Sequence, residues 1–158
     1  MTKKHVRSTS NHRAAATDSR KKNFCFACGP DNPHGMHLKF SPDVSGKQFV
    51  CRFRLGKRYT GPPGHCHGGI IATILDDAMS RLIRLFQASA ATSRMTVEYL
   101  RPVPLHHPLE VWSRNVSKRG RRLKHAAEIR DQKGTVLARS HGVFIILDPK
   151  HVFRRKKA

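Results

Sequence analysis

Acidic residues are scarce in this sequence. Its 158 residues contain 10 Asp and Glu against 31 Lys and Arg, which gives a formal net charge of +21 at pH 7. Residues 1–23 hold seven basic residues and one acid, and residues 150–158 hold five basic residues and no acid. This balance favours anionic partners, and charge alone does not choose among nucleic acid, a phosphorylated small molecule and a membrane surface.

Long apolar runs and aromatic residues are also few. The apolar stretches are much shorter than the ~20 residues of a membrane-spanning helix, so we expect no membrane span. No apolar segment follows the basic N-terminus, so we expect no secretory signal, and four cysteines then indicate a reducing, cytoplasmic location. Phe153 is the only Phe, Tyr or Trp in the two basic ends. Any binding of nucleic acid by these ends is therefore expected to be weak and non-specific.

The chain has the length of one domain and shows no internal repeat. We predict a basic flexible N-terminal arm at residues 1–22, a folded domain at 23–149 and a basic C-terminal tail at 150–158. Within the domain, residues 49–55 alternate as a half-buried strand, and residues 68–87 change to a helical period. The apolar stripe of this helix consists of Ile71, Ile74, Leu75, Ala78, Leu82, Leu85 and Phe86. Further strands are expected near 37–40, 93–103, 109–116, 123–129 and 135–147. The pattern predicts an α+β fold in which a curved antiparallel meander of five or six strands holds one long helix.

Two adjacent aspartates interrupt the helical run. With about 100° of rotation per residue, Asp77 falls opposite the apolar stripe and four residues before Arg81, so we predict a solvated surface ion pair. Asp76 falls at the edge of the apolar face, where partial loss of water raises the pKa of a carboxyl group and makes it a better base. Asp76 is therefore the candidate for chemistry, and the alternative is a structural acid bonded to a neighbouring strand.

The segment PPGHCHGG leads into this helix. Backbone N–H groups of glycines at a helix start stabilise negative charge on a carbonyl oxygen. Together with a carboxylate base, such a donor points to acyl transfer or hydrolysis. Gly69 and Asp76 are roughly 10 Å apart along a helix, so one reacting carbon does not contact both. We therefore predict a homodimer in which the helix start and the aspartate of one site come from different chains.

Three segments, CFACGPDNPHGMHLKF, GPPGHCHGGIIATILDDAM and TSRMTVEYLRPVPL, resemble a hotdog-fold acyl-CoA thioesterase of the PaaI-like type, close to thioesterase superfamily members 4 and 5. The likeness runs from about residue 25 to residue 147. Its specific motif is His-Gly-Gly with an aspartate nine residues after the histidine. The motif places His67, Gly68, Gly69 and Asp76 at the family's functional positions, and it selects the first of the two aspartates.

The resemblance implies a hotdog fold, in which a curved antiparallel sheet wraps around one long central helix. It also implies that Asp76 acts as general base or nucleophile, that a glycine N–H polarises the thioester carbonyl, and that partner subunits share each site. The Ser or Thr that the family often has sixteen residues after the aspartate corresponds to Thr92. Many relatives carry an asparagine six residues before the histidine, where this chain has Gly61.

Two cysteine motifs have alternative interpretations. Cys25-x-x-Cys28 with His34 and His37 nearby has the residue types of a zinc site. A second C-x-x-C is missing, so we favour packing of small thiols at a strand edge and predict no metal. Cys66 lies between two histidines, but adjacent residues do not face one another, so a nucleophilic cysteine is not favoured.

The turn KRGRR concentrates positive charge at residues 118–122. It is either a solvated loop or a contact for the phosphates of coenzyme A through Arg119, Arg121 and Arg122, because arginine forks suit phosphate groups. Arg94 and Arg101 are weaker candidates.

The sequence thus predicts an acyl-CoA thioesterase, a homodimer or dimer of dimers that needs no cofactor, since coenzyme A is part of the substrate. The alternative is a non-catalytic acyl-CoA-binding hotdog protein, or a basic module tethered to nucleic acid. Acyl-chain length and the purpose of the basic charge are not determined by the sequence.

Overall fold

A computed structural model describes residues 22–148. The predicted N-terminal arm and C-terminal tail lie outside these residues, apart from Lys22, and they stay predictions. Within the described range, no helix is long and apolar enough to cross a membrane.

Six antiparallel strands and one α-helix form the domain. In chain order they are β1 (Ser41–Pro42), β2 (Gln48–Arg54), α1 (Gly68–Arg81), β3 (Ala90–Tyr99), β4 (Pro108–Arg119), β5 (Arg122–Asp131) and β6 (Val136–Ile146). The strands form one sheet in the spatial order β1-β2-β4-β5-β6-β3. An antiparallel sheet that packs against one long helix is the predicted α+β architecture.

The predicted meander is only partly right. Strands β4, β5 and β6 are neighbours in chain order, but β2 pairs with β4, and β3 pairs with β6 at the far edge of the sheet. Helix α1 lies between β2 and β3 in the chain and spans about 21 Å at 1.5 Å per residue. The helix therefore carries the chain across the sheet, and β3 begins at the opposite edge from β2.

The predicted helix at residues 68–87 is confirmed, and its last turn is tighter than expected. Helix α1 begins at Gly68 and ends at Arg81, and Leu82–Phe86 continues it as a 3-10 helix. Gln87 stops the helical segment in the left-handed region, at φ 48°. Leu85 was placed in the apolar stripe and is instead 41% exposed, because the tighter turn rotates it away from the sheet.

The apolar stripe of α1 packs on the inner face of the sheet. Ile74, Leu75 and Ala78 have no exposed surface, and alternate residues of β6 from Ala138 to Phe144 are buried. Gly142 of β6 lies under the helix, where an added Cβ would stand 2.7 Å from Phe144 Cε2 and 3.0 Å from the terminal methyl group of Met79. The glycine therefore sets how closely the helix approaches the sheet.

The strand predicted near residues 37–40 is wrong. These residues are irregular, because His37 adopts a positive φ of 55°, which strand geometry does not allow. A two-residue strand follows at Ser41–Pro42 and pairs with β2.

Candidate active site

The start of α1 is capped by a histidine side chain. His67 has extended backbone angles, and its Nδ1 accepts a hydrogen bond of 3.0 Å from the Gly69 N–H. This bond satisfies one of the N–H groups that a helix leaves without a partner at its first turn. The N–H of Gly68 donates no hydrogen bond to any residue in the range 22–148. At the helix start, the open donor is therefore Gly68, while Gly69 is engaged by His67.

The loop before the helix holds this histidine in place. His67 N–H donates to Tyr59 O at 2.9 Å, and Gly61 N–H donates to His65 O at 2.9 Å. A Cβ added at Gly61 would lie 2.7 Å from His67 Cα. Position 61 therefore excludes the asparagine of many relatives unless the backbone of the histidine moves.

An apolar cleft of about 410 Å³ opens beside the helix start. Gly68 and Ile71 line it from the helix, and Tyr99, Leu100 and Val103 line it from the end of β3 and the following loop. The Tyr99 hydroxyl donates to Gly68 O at 3.1 Å and so fixes the edge of the cleft to the helix. Its size and apolar lining are those of a small-molecule site. The cleft was missed in the sequence analysis. Its signal was the pair Tyr99 and Leu100, two large apolar side chains at the end of a strand, which form an exposed apolar patch.

Asp76 and Thr92, the two positions sixteen residues apart that the family resemblance identifies, lie together. The Thr92 hydroxyl donates to Asp76 Oδ1 at 2.9 Å. Burial raises the pKa of the Asp76 carboxyl group, the hydrogen bond from Thr92 lowers it in part, and the charge of Asp77 raises it. A half-buried carboxylate with one oxygen held and the other open has the form of a general base.

Asp77 does not lie at a solvated surface. Its carboxylate pairs with Arg81 at 3.2 Å, as the spacing of four predicted, but the two side chains are only 13% and 16% exposed. Cys28 Sγ donates to Asp77 Oδ1 at 3.4 Å. The loop at residues 23–40 covers this side of the helix, because Phe40 also stacks under the Arg81 guanidinium at 5.0 Å. The helical wheel placed Asp77 correctly on the side of α1 opposite the apolar stripe, but it did not predict that a loop covers this side.

The helix start and the aspartate stay apart within one chain. They are separated by seven residues of continuous α1, which is roughly 10 Å. Thr92 lies on β3, the edge strand of the sheet, and the residue after it forms a bulge in the pairing with β6. The other side of β3 has no strand partner among residues 22–148. Asp76 therefore lies close to a free sheet edge.

The structure does not bring the arginine turn to the helix start of the same chain. The turn joins β4 and β5, and the ammonium group of Lys118, its first residue, lies over Phe86, 5.5 Å from the ring centre. Phe86 ends the helical segment, so the turn lies at the other end from the cleft. Arg121 Nε donates to Ile146 O at 3.0 Å, while Arg119 and Arg122 are exposed.

Cys66 lacks the features of a nucleophile. Burial raises the pKa of its thiol to about 11, and Sγ donates to His67 O at 3.5 Å. The thiolate, which is the reactive form, is therefore disfavoured at neutral pH. Of the weaker phosphate candidates, Arg101 donates to Val136 O at 3.0 Å and Arg94 is exposed.

Comparisons with known proteins agree on one family. The profile of the thioesterase superfamily matches residues 63–138, which include the helix start, Asp76 and Thr92. Acyl-coenzyme A thioesterase THEM4 of Bos taurus is 33% identical over 127 residues, which cover 79% of this chain and 52% of the relative. The chain thus spans about half the length of the curated relatives it matches.

Solved structures give the same result for the fold. A thioesterase superfamily protein superposes with a TM-score of 0.73 and 28% identity, over 78% of this chain and 60% of the other. A protein from Bacillus halodurans, solved with CoA, has a TM-score of 0.64 and 25% identity over 72% of this chain and 76% of its own. The predicted hotdog fold is thereby confirmed, and the chain carries a domain of the thioesterase superfamily.

Proposed function

We propose that this protein hydrolyses acyl-CoA thioesters. The observation that supports it most directly is the half-buried Asp76 carboxylate, held by Thr92, within a thioesterase superfamily domain. The apolar cleft at the helix start adds a place for an uncharged part of the substrate. The name of the bovine relative and the CoA bound to the Bacillus protein support coenzyme A as the leaving group.

In the proposed reaction, the Asp76 carboxylate takes a proton from water. The resulting hydroxide attacks the carbonyl carbon of the thioester, and the carbonyl oxygen becomes an oxyanion. N–H groups at the helix start donate to that oxygen, Gly68 directly and Gly69 once the His67 ring releases it. The C–S bond then breaks, the CoA sulfur takes a proton, and a carboxylic acid remains. No cofactor is needed, because Asp76 takes a proton from water and returns it to the CoA sulfur, while the amide N–H groups donate only hydrogen bonds to the oxyanion.

We further propose that two chains share each site. Within one chain, roughly 10 Å of helix separates the glycines from Asp76, so one carbonyl group does not reach both. The free edge of β3 carries Thr92 and offers a row of unpaired backbone groups to a second copy. Pairing of that edge in a homodimer, or in a dimer of dimers, brings a second helix start towards Asp76 and completes the site.

The basic turn is proposed to bind the phosphates of coenzyme A. Arg119 and Arg122 are exposed and carry guanidinium groups that match phosphate oxygens in pairs. Because the turn lies at the far end of the helical segment from the cleft, this contact also depends on the geometry of the dimer.

Release of free thiol from short, long, branched and aryl acyl-CoAs tests the proposal. We expect Asp76→Asn to lower kcat by about 10²- to 10⁴-fold, the usual contribution of a general base. Glu110→Gln is the matched control, since this carboxylate is also hydrogen-bonded, to Arg52 and Trp112, but lies on β4. Asp77→Asn is expected to retain more activity than Asp76→Asn, and an equal loss would contradict the assignment.

Two results would support the alternatives instead. If every acyl-CoA binds but none is hydrolysed, the protein is a binding module. If short DNA binds at low salt with little sequence preference while acyl-CoA does not bind, the basic charge serves nucleic acid. The reducing, cytoplasmic location stays a prediction that imaging of the tagged full chain tests.

A further inference from the structure

Three side chains with metal-ligating atoms meet on the covered side of α1. They are Cys25 and Cys28 from the N-terminal loop and Asp77 from the helix, and their ligand atoms all lie within 4.8 Å of one another. Cys28 and Asp77 are 49 residues apart in the chain, and their Sγ and Oδ1 atoms are 3.4 Å apart. The proposed hydrolysis uses none of the three.

We propose that Cys25, Cys28 and Asp77 bind one zinc ion. The ion would be tetrahedral, with two thiolates, one carboxylate oxygen and a water molecule on the exposed side of Cys25. This site differs from the Cys-x-x-Cys and histidine site considered from the sequence. His37 is not a ligand here, because its Nε2 is hydrogen-bonded to Asn32 O at 2.6 Å.

The distances suit this ion. Zn–S bonds of about 2.3 Å and Zn–O bonds of about 2.0 Å at tetrahedral angles put two sulfurs about 3.8 Å apart, and a sulfur and an oxygen about 3.5 Å apart. The 3.4 Å between Cys28 Sγ and Asp77 Oδ1 is close to the expected sulfur–oxygen distance, and the remaining pairs lie within 4.8 Å. Cys25 is exposed, so its side chain is free to rotate towards the other two ligands.

The charges also suit a divalent cation. Before the ion binds, the Asp77 carboxylate is balanced by the Arg81 guanidinium, which lies 3.2 Å from it. When Zn²⁺ binds, two thiol protons leave to solvent. Two thiolates, one carboxylate, Arg81 and the ion then carry no net charge together. The cluster is neutral with and without zinc, and Arg81 balances the third anionic ligand.

The loop that carries the thiols is held by its own hydrogen bonds and by packing in the core. Gly29 N–H donates to Cys25 O at 2.9 Å, which closes a tight turn around both cysteines. A Cβ at Gly29 would lie 2.4 Å from Cys25 N, so only glycine fits at this position of the turn. Ala27 and Leu38 anchor the loop in the core and are 4% and 6% exposed. A metal-binding loop that is already ordered loses little entropy on binding.

The test is metal binding by the full-length protein without an affinity tag. Metal-free protein prepared with chelator and reductant is titrated with Co²⁺, whose bonds to thiolates give a strong charge-transfer absorption, and then with Zn²⁺. We expect one ion per chain and a higher unfolding temperature with zinc. Cys28→Ser and Asp77→Asn remove one ligand each, and Cys66→Ala is the matched control because it removes a buried thiol outside the cluster.

Each ligand variant is expected to bind Co²⁺ and Zn²⁺ at least about tenfold more weakly, since loss of even an indirect partner of a metal ligand costs 10–100-fold. Cys66→Ala is expected to bind as the natural protein does. Absence of the thiolate absorption in the natural protein, or an unchanged absorption in Cys28→Ser, would overturn the proposal. The measurements use no substrate, so their failure leaves the proposed hydrolysis untouched.

Discussion

Replacement of His125 by phenylalanine should remove a pH dependence of stability from this fold. His125 is 1% exposed, between Phe144 at 4.9 Å and Phe86 at 6.3 Å from its ring centre. Its Nδ1 donates to Met79 O at 2.9 Å, and its buried Nε2 has no partner among the described residues. Burial lowers the pKa of this imidazole, and the bond to Met79 offsets part of the change. The native protein therefore holds His125 neutral.

The sign of the effect follows from proton binding. The unfolded chain takes up a proton at this histidine below a pH of about 6.5, whereas the folded chain does not until a lower pH. The free energy of unfolding therefore falls as pH drops below about 6.5, by about 1.4 kcal/mol per pH unit at most, until the folded pKa is reached. His125→Phe removes this contribution. At pH 8 its cost is small, about 1 kcal/mol, because Met79 O also accepts from Leu82 N–H and the unpaired nitrogen is gone.

Urea unfolding at pH 8, 6.5 and 5 measures the difference. We expect the variant to lose less stability than the natural protein between pH 6.5 and 5, by at most about 2 kcal/mol, the limit of about 1.4 kcal/mol per pH unit over this range. His141→Gln is the control, because it removes an exposed imidazole from the neighbouring strand. Parallel pH profiles for His125→Phe and the natural protein would refute a neutral buried histidine.

Three further changes test the site and the packing. Thr92→Val is expected to lower kcat by about tenfold to 100-fold, the value of a hydrogen bond to a charged group, while Thr92→Ser retains the bond to Asp76 and most of the activity. Gly142→Ala is expected to lower the free energy of unfolding by about 1–3 kcal/mol through overpacking against Met79, and urea midpoints within error of each other would show that the helix has room to move. Arg122→Glu is expected to raise KM for acyl-CoA without changing kcat, and an unchanged KM removes this arginine from the CoA site.

The sequence predicts the helix and most of the strands, but it does not predict which strands pair in the sheet. Alternation over residues 49–55 and a helical period from residue 68 are local signals, and both elements are present as predicted. The position of β3 beside β6 depends on where the chain emerges after α1, and no pattern within β3 reports it. The mistaken meander therefore reflects a contact between segments far apart in the chain.

The site shows the same division. The spacing of sixteen residues found Thr92 for Asp76, because the family motif records that contact. The cover over Asp77 was missed, because it comes from a loop without a periodic pattern, in which Cys28 lies 49 residues before Asp77. The bond between His67 and Gly69 was also missed, since a histidine is not among the usual residues at a helix N-cap.

The strand order has a consequence for folding during synthesis. Strand β3 reaches the sheet only through β6, so Ala90 must wait for Ile146, its partner in the ladder, to leave the ribosome. Until then Thr92 has no sheet beneath it, and Asp76 lacks the hydroxyl that orients it. A nascent chain or a fragment that stops before β6 should therefore lack the hydrogen bond between Thr92 and Asp76.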